Sequence, residues 1–581
     1  MKKAIIILQQ QYAHKAVSCL SRQGVLHVMH EVAPKAEKID LLEENHAAVS
    51  GALGVLNNYA QASPAKQSQL PEGKTQEICL EIIAQDKLIL KLQEERKALS
   101  NKISDLEKWG DFNPAKIGEL SQQGLYFKLY QVPQKQIHDF PEVAVVKQIF
   151  SSGGFCYCAV VSASQISVDF KEIPLPQESL SSLLERVKQN QVQAESLVNR
   201  IRQDLCFLSA LEAAKDSLEK EIEFQKVIFG MGKTSTLVYL TGFIPYDKEK
   251  MLLAFAREQK WGIIIKDPSQ EDDAPVLLRH SKIVNLIKPV FKLLEIVPGY
   301  RELDVSPVFL LFLSLFFGMI IGDAGYGAVY FLLTLFAQRK LGKKAKDKTV
   351  FFLFYLFSSC AIIWGLLTGT VFGQAWYVEK GFKALVPALN EAKFLMAFCF
   401  LLGAVQLSIA HLWQAIAKAP SLKALADIGF ICLLWAGFFL AKMFILGDNF
   451  PGFGAWFIWS GALLIVFFSS PQKNILKGLA EGLGALALGA MGNFGDVVSY
   501  IRLFAVGLAA VAVADSVNML AQGVGNNFIA QAAILFAGHT INIVLGPVSV
   551  LVHGVRLNIL EFSLLHGNVT WSGTAYKPLK S

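Results

Sequence analysis

Two arginines, Arg502 and Arg556, stand inside runs too apolar to face water, and any chemistry in this chain should be sought there first. Arg502 lies in GDVVSYIRLFAVGLAAVAVADSV (residues 495–517) and Arg556 in LVHGVRLNILEF. A guanidinium at membrane depth costs roughly 3 to 15 kcal/mol, so it needs a partner or a purpose. The nearest carboxylates in the same helix as Arg502 are Asp496 and Asp515, about two and almost four turns away. Both arginines are therefore expected to face a mobile carboxylate on another protein. A guanidinium neutralised by a carboxylate of its own chain, or looking outward at headgroups, would overturn that expectation.

The charge logic is simple. A carboxyl group facing lipid must be neutral, through a proton or a bound cation. Beside Arg502 the ionised form is favoured and the cation is released, while the fixed positive charge blocks direct passage from one side to the other. Arginine suits this role because it keeps its proton where a buried lysine can lose it.

An ion path also needs polar groups on both sides of the arginines. Asp496, Ser499 and Tyr500 precede Arg502, and Glu561 and His566 follow Arg556, on the side that the span directions make cytoplasmic. Asp515, Asn518, His539 and Asn542 fall on the opposite side. His553 precedes Arg556 by nearly one turn and is expected to share its face. Each of these taken singly also suits ordinary hydrogen bonding between helices. Glu561 points more firmly to function, since a carboxylate in an apolar helix seldom lacks a purpose. Gln406, His411 and Lys442 read as packing or snorkelling residues.

The chain that must hold these residues is of two kinds. Charged residues make up only 18% of its 581 positions and are concentrated in the first half, while residues 306–568 form long apolar runs holding most of the 41 phenylalanines. With a mean hydropathy of +0.39, this balance fits a protein part soluble and part membrane-embedded. The net charge of +7 does not argue for nucleic acid, because the lysines cluster beside the apolar runs. The eight cysteines are scattered, and Cys156 and Cys158 share a strand face without completing a zinc set, so neither metal nor cofactor is expected. No GxxxxGK[ST] loop occurs, so any ATP chemistry must come from partners.

Eight spans are expected, near 306–321, 323–338, 349–372, 393–416, 425–446, 454–470, 480–523 and 528–567. Gly322, Asp323, Gly325 and Gly327 make a polar turn between the first two. The last two are too long to stand upright, so they must tilt or break, at Gly484, Gly489, Gly492 or Gly546-Pro547. In ideal helices Arg502 and Arg556 differ in depth by about 12 Å, a gap that a break or unequal tilt must close. The apolar core of MKKAIIILQQQ is too short for a signal peptide, which keeps the N-terminus in the cytoplasm. From there the basic connections RKLGKKAKDK, KAPSLK and PQKNILKG and the tail YKPLKS all fall inside, while GDNFPGFG and AQGVGNN fall outside.

Residues 1–305 are expected to form a cytoplasmic domain and 306–581 a transmembrane one. Strand and helix patterns in 1–35 and 233–270 suggest one proximal α/β lobe. Between them run coiled-coil arms at 75–110 and 177–228. The return arm carries Leu180, Val187, Ala194, Ile201 and Leu208 every seven residues, with Leu184, Val198 and Leu205 between, and the outgoing arm carries Leu92, Leu99 and Leu106. Residues 111–171 hold strands and a Gly-Gly turn, enough for a distal lobe. The fold class is thus mainly α: α/β lobes joined by a long coiled-coil hairpin, then an eight-helix membrane domain ending in two long tilted helices.

Together PGYRELDVSP, FFGMIIGDAGYG, GLLTGTVFG, GDVVSYIRLFAVGLA and GHTINI with VHGVRLNILEF resemble the large membrane subunit of V-type rotary ATPases, called a, or I in prokaryotes. The resemblance spans essentially the whole chain, though the first half matches in architecture only. It implies a stator that hydrolyses nothing itself and provides two half-channels for H⁺ or Na⁺ against a ring of proteolipid subunits. It also implies attachment to E/G-type peripheral-stalk subunits and a d/C-type central-stalk socket subunit, with a prokaryotic plasma membrane as the location. Arg502 takes the position of the family's essential arginine and Arg556 that of the second. Ala510 and Gly546 stand where some members have histidine and glutamate. Two other classes are open: a secondary transporter with a regulatory arm, for which no internal repeat is evident, and a membrane-anchored scaffold.

Overall fold

The computed structural model describes residues 1–60, 71, 73–137, 140–141, 143–164, 168, 170–175, 177–234, 236–269, 271–343, 345, 347–373, 384–472, 474–525 and 527–580. The chain is mainly helical, with two sheets and several long apolar helices in its C-terminal part. Two compact units result, one of residues 5–242, 252–264 and 578–581, the other of 1–4, 243–251 and 265–577. The second takes in residues 265–305, which the sequence reading assigned to the cytoplasmic part. They join it because the tail returns to them: Val297 bridges Ser572, Val276 bridges Ala575, and Trp571 packs edge-on against Phe291.

In chain order the more polar unit runs through β1 (Lys2–Gln9), α1 (Ala13–Gln23), β2 (His27–Met29), α2 (Glu37–Tyr59), α3 (Thr75–Leu106), α4 (Pro114–Gln122), β3 (Tyr126–Pro133), β4 (Ala144–Ser152), β5 (Phe155–Ser162), β6 (Lys171–Ile173), α5 (Leu180–Asp204), α6 (Leu208–Phe229), β7 (Gly232–Lys233), β8 (Leu237–Ile244), α7 (Glu249–Glu258) and β9 (Gly262–Lys266). The first sheet has the order β2-β8-β1-β9, with β7 paired to β8, so strands some 200 residues apart lie side by side. The second sheet, β4-β5-β3-β6, turns from β4 to β5 at Gly153-Gly154, both with positive φ. Cys156 and Cys158 are buried on β5.

Helices α3 and α5 pack together, and α2 packs on both α3 and α6. Ile82, Ile89 and Leu92 of α3 meet Leu197 and Ile201 of α5 in a core that also takes Val49, Leu53 and Leu56 of α2. The Leu180-to-Leu208 line faces inward or half inward, but its companion differs from the one expected: Leu183 and Leu197 are buried whereas Leu184 is 50% exposed. Helix α2 had no place in the expected hairpin. Its apolar residues Val49, Ala52, Leu53 and Leu56 follow the helical period and supply a third face.

The apolar unit adds α8 (Lys288–Leu293), α9 (Ser306–Ile321), α10 (Ala324–Leu341), α11 (Thr349–Thr368), α12 (Ala392–Lys418), α13 (Lys423–Leu446), α14 (Gly454–Phe468), α15 (Ile475–Ser499), α16 (Ile501–Gly523) and α17 (Phe528–Ser549), and ends in π-helical turns at Val550–Gly554 and Leu557–His566. Against the eight spans expected, five helices among the described residues are long and apolar enough to cross a membrane, or six if α9 and α10 count as one. Those two meet at 119°, and α9 is mostly enclosed: Phe309, Leu313, Phe316 and Phe317 along it are all buried, while Leu311 is exposed. Trp456 and Trp459 on α14, in contrast, are more than 70% exposed, as suits a face turned to lipid.

The turn between α9 and α10 has a clear cause. Gly322 takes φ +66°, and Asp323, 1% exposed, accepts from the amides of Gly325 (2.7 Å), Tyr326 (3.1 Å), Phe372 (2.9 Å) and Gly373 (2.9 Å). Gly365 of α11 lets this turn come close, for a Cβ there would stand 2.0 Å from the Ala324 nitrogen. Asp323→Ala would strand these amides, and the expected cost is about 4 kcal/mol, with Asn losing less because it keeps one acceptor oxygen. Thermal unfolding of the purified variants in detergent checks the order: Ala well below Asn, Asn below wild type.

Lys3 holds Asp272 at 2.6 Å, and with the Ser269 amide and hydroxyl this lowers the Asp272 pKa from its ordinary value to about 2. A carboxylate whose folded pKa is depressed contributes stability above its unfolded pKa and loses it as pH falls through the folded one. The stability gap between wild type and Asp272→Asn is therefore expected to be full at pH 7 and to vanish between about pH 4 and pH 2, as thermal melts at stepped pH would record.

Candidate functional site

The first of the two long helices does not break where its glycines suggested. α15 ends at Ser499 and α16 begins at Ile501, with fully buried Tyr500 between them. There the Leu503 amide bonds the Tyr500 carbonyl (3.1 Å), a tight three-residue turn in place of the α-helical bond to Ser499. The Ser499 carbonyl is thereby released, and Arg502 Nε takes it at 3.0 Å. Ser499 thus contributes its backbone rather than its hydroxyl. The Tyr500 hydroxyl donates to Gln406 Oε1 (2.9 Å), and Gln406 Nε2 donates to Asn558 Oδ1 (3.0 Å). Gln406, read as a packing residue, is a buried link between three helices.

Arg502 Nη2 lies 2.6 Å from Glu561 Oε1, and Arg556 Nε lies 3.8 Å from the same oxygen. Arg502 is thus paired within its own chain, which overturns the expectation that its partner is a mobile carboxylate on another protein alone. The reason is physical: a half-buried guanidinium needs an anion, and the anion comes from another helix 59 residues on, which spacing along one helix cannot reveal. The expected depth difference is also closed, since both arginines reach one carboxylate. The π-helical turns after Ser549, wider than α-helix, bring Arg556 to that level, with Pro547 inside α17 just before them. They also shift the His553–Arg556 face relation from that of an α-helix, and His553 is half-buried.

The pair is not a closed one. Two cations share one acid, so with all three groups ionised the cluster keeps a charge of 2 − 1 = +1. Among the described residues, Arg502 Nη1 and Glu561 Oε2 are buried without a hydrogen-bond partner. Such unspent donors and acceptors are costly unless something else meets them. Arg556 is 56% exposed at its side chain, whereas Glu561 is 5% exposed. Ala505 and Leu508 on α16, and Phe536, Val544 and Leu545 on α17, leave an exposed apolar wall on the same two helices.

On the far side the expected polar residues come together. His539 Nδ1 meets the Tyr326 hydroxyl at 2.7 Å and its Nε2 meets Asn518 Oδ1 at 3.2 Å. Asn542 donates to that hydroxyl (3.0 Å) and to the Ala510 carbonyl (2.9 Å), and Asn518 donates to the Phe372 carbonyl (2.7 Å). A Cβ on Gly373 would stand 2.5 Å from Asp515 Oδ1, so the loop after α11 rests on Asp515. Phe372, Asn518, Gln522, Gln531 and His539 line a groove of about 460 Å³ beside this network. Tyr326, its hub, was missed; the signal was a tyrosine one turn past a buried helix cap.

On the near side Asp496 Oδ2 meets His566 Nε2 at 2.9 Å, and His566 Nδ1 meets His411 Nε2 at 2.8 Å. His411, read as packing, is thus joined to two of the expected residues. Lys442 pairs with Asp448 at 3.1 Å near the end of α13, as a snorkelling residue would.

No protein-family model matches the chain. The V-type ATP synthase subunit I of Borreliella burgdorferi is 28% identical to it over 614 aligned residues, covering 100% of this chain and 99% of that protein. The V-type ATP synthase subunit I 1 of Treponema pallidum is 28% identical over 626, with coverage of 100% and 99%. The A-type ATP synthase subunit I of Methanocaldococcus jannaschii is 27% identical over 437, covering 67% of this chain and 62% of its own. A solved structure, the cytoplasmic N-terminal domain of subunit I, homolog of subunit a, of V-ATPase, aligns with 46% of this chain and all of its own at 17% identity and a TM-score of 0.22.

Proposed function

We infer that this chain, similar along its whole length to subunit I of V-type ATP synthases, is the stator subunit of a rotary ATPase against which an ion-carrying ring turns. The comparisons support the coarser part, a membrane subunit of such a complex. The two half-channels, the proteolipid ring, the stalk and socket subunits, the cytoplasmic termini and the prokaryotic plasma membrane belong to the reading proposed here. So does the division into a stalk-binding arm and an ion-translocating domain.

The observation that carries the reading is the surplus cation. Arg502 and Arg556 converge on one carboxylate between apolar helices, leaving Arg502 Nη1 unspent. Nη1 is enclosed, so the tip of Arg502 must swing outward before a ring carboxylate takes that donor and competes with Glu561 for the guanidinium. Glu561 then serves as the resident counter-ion between visits, a role the sequence reading did not give it. The far-side network around His539 and Asn542 and the near-side residues Asp496 and His566 would line the two half-channels.

The Arg502–Glu561 contact also favours a second reading, a structural tie holding two long helices together. Cross-linking separates them. A cysteine replacing exposed Leu508 is expected to trap a small membrane protein identifiable by mass, while one replacing buried Leu503 is not. Equal labelling at both positions, or capture of lipid alone at Leu508, would leave the structural tie as the better account.

A further inference from the structure

Building on that reading, we propose that the buried series Asp427, His411, His566 and Asp496 conducts protons from the Lys418 face of the apolar unit, and that the transported ion is therefore H⁺ rather than Na⁺. Four elements contribute one residue each: α13, α12, the last π-helical segment and α15. Lys418 Nζ holds Asp427 at 3.0 and 2.8 Å, and its own side chain is 42% exposed, which marks this end as the mouth. Inward from it, Asp427 Oδ1 lies 3.7 Å from His411 Nδ1, His411 Nε2 lies 2.8 Å from His566 Nδ1, and His566 Nε2 lies 2.9 Å from Asp496 Oδ2. Asp427, His411 and His566 are all more than nine-tenths buried, and the Phe430 ring stacks on His411 at 5.3 Å.

The directions of these bonds follow from what each group can do. An ionised Asp496 only accepts, so His566 carries its proton on Nε2 and presents a bare Nδ1. That nitrogen in turn accepts from His411 Nε2–H. With both rings neutral, His411 Nδ1 is then bare as well and faces the Asp427 carboxylate, acceptor against acceptor. This accounts for the 3.7 Å between them, beyond hydrogen-bond reach, and for His411 Nδ1 being a buried nitrogen without a hydrogen-bond partner among the described residues.

The gap is where a proton is missing. A proton taken up by Asp427 passes to His411 Nδ1; His411 gives its Nε2 proton to His566 Nδ1; His566 gives its Nε2 proton to Asp496. One proton enters and one leaves, both rings end neutral in the other tautomer, and each must turn before the next transfer. Asp496 precedes Arg502 by six residues, about 9 Å of helix, and so hands over near the ring-facing arginine. A sodium ion has no such route, because a hard cation asks for several oxygen ligands at once and this series offers ring nitrogens in mutual contact at 2.8 Å.

The test uses the assembled complex in inverted membrane vesicles. ATP-driven acidification is followed by acridine-dye quenching, uptake of ²²Na⁺ is measured in parallel, and rates are taken per co-purifying complex. Wild type should quench the dye without added Na⁺ and accumulate no ²²Na⁺. His411→Gln and His566→Gln should each slow quenching roughly tenfold or more. Should neither assemble, Asp427→Asn at the mouth is read instead, with the same expectation. Accumulation of ²²Na⁺, or quenching within about twofold of wild type in the assembled variants, overturns the proposal. Full transport in Arg502→Gln would overturn the stator reading itself; Arg502→Gln silent beside fully active histidine variants overturns only the proton series.

Discussion

On the proposed stator reading, Arg502→Gln yields a complex that assembles but moves ions at less than roughly one hundredth of the wild-type rate, because the barrier to leakage and the pull on the ring carboxylate would be one charge. A glutamine can still reach the Ser499 carbonyl, so the helix break should survive and assembly with it. Without the guanidinium the proposed ring carboxyl would have no cation to favour its ionised form and would keep its ion as it passes. Lysine is expected to fail too: its ammonium is a single point that cannot reproduce the fixed spacing of Nε at the Ser499 carbonyl and Nη2 at Glu561, and a buried lysine can lose its proton. Alanine completes the series. The measurement is ATP-driven ion transport in vesicles, normalised to assembled complex, and activity retained in all three variants would end the stator reading.

Glu561→Gln should act on stability first. It leaves the half-buried Arg502 and its neighbour Arg556 without the acid they share, a loss of roughly 3–5 kcal/mol for an uncompensated buried charge. Arg502→Gln combined with Glu561→Gln removes both partners and should recover most of that stability, as a neutral pair of similar shape does. Transport should not recover. A thermal-unfolding cycle over the four proteins, read beside their transport rates, tells a tie from a working charge. If the double variant regained transport along with stability, the ion pair would be only structural.

Much of this was legible beforehand, for physical reasons. Arginine and glutamate in apolar runs are conspicuous because burying them is costly, and the polar residues of the far side, His539, Asn542, Asn518 and Asp515, do gather in space. The α/β character of the first and last strands of the polar unit could be read from period-two patterns. What stayed hidden was long-range pairing. Arg502 and Glu561 are 59 residues apart and Asp496 and His566 are 70 apart, and helical spacing says nothing about which face meets which. The break at Tyr500 escaped because no glycine or proline marks it; it is set by burial of an aromatic ring and its bond to Gln406. The π-helical end, by contrast, begins three residues after Pro547, beside the Gly546-Pro547 site marked in the sequence. Asp427 sat in plain view in ADIGFICLLW, but its partner His411 had been read as filler.

The tight turn at Tyr500 bears on how a motor of this kind would withstand its own load. Arg502 is gripped at Nε by the main chain, and that main chain is strapped through Tyr500 and Gln406 to Asn558, so only the tip of the guanidinium is left to swing. A charge dragged past it would therefore push against braced backbone instead of spending its work on bending a loose side chain. If the proposed ring turns against this site, stiffness there would let the recoil of each step pass into the neighbouring helices and be carried away as torque.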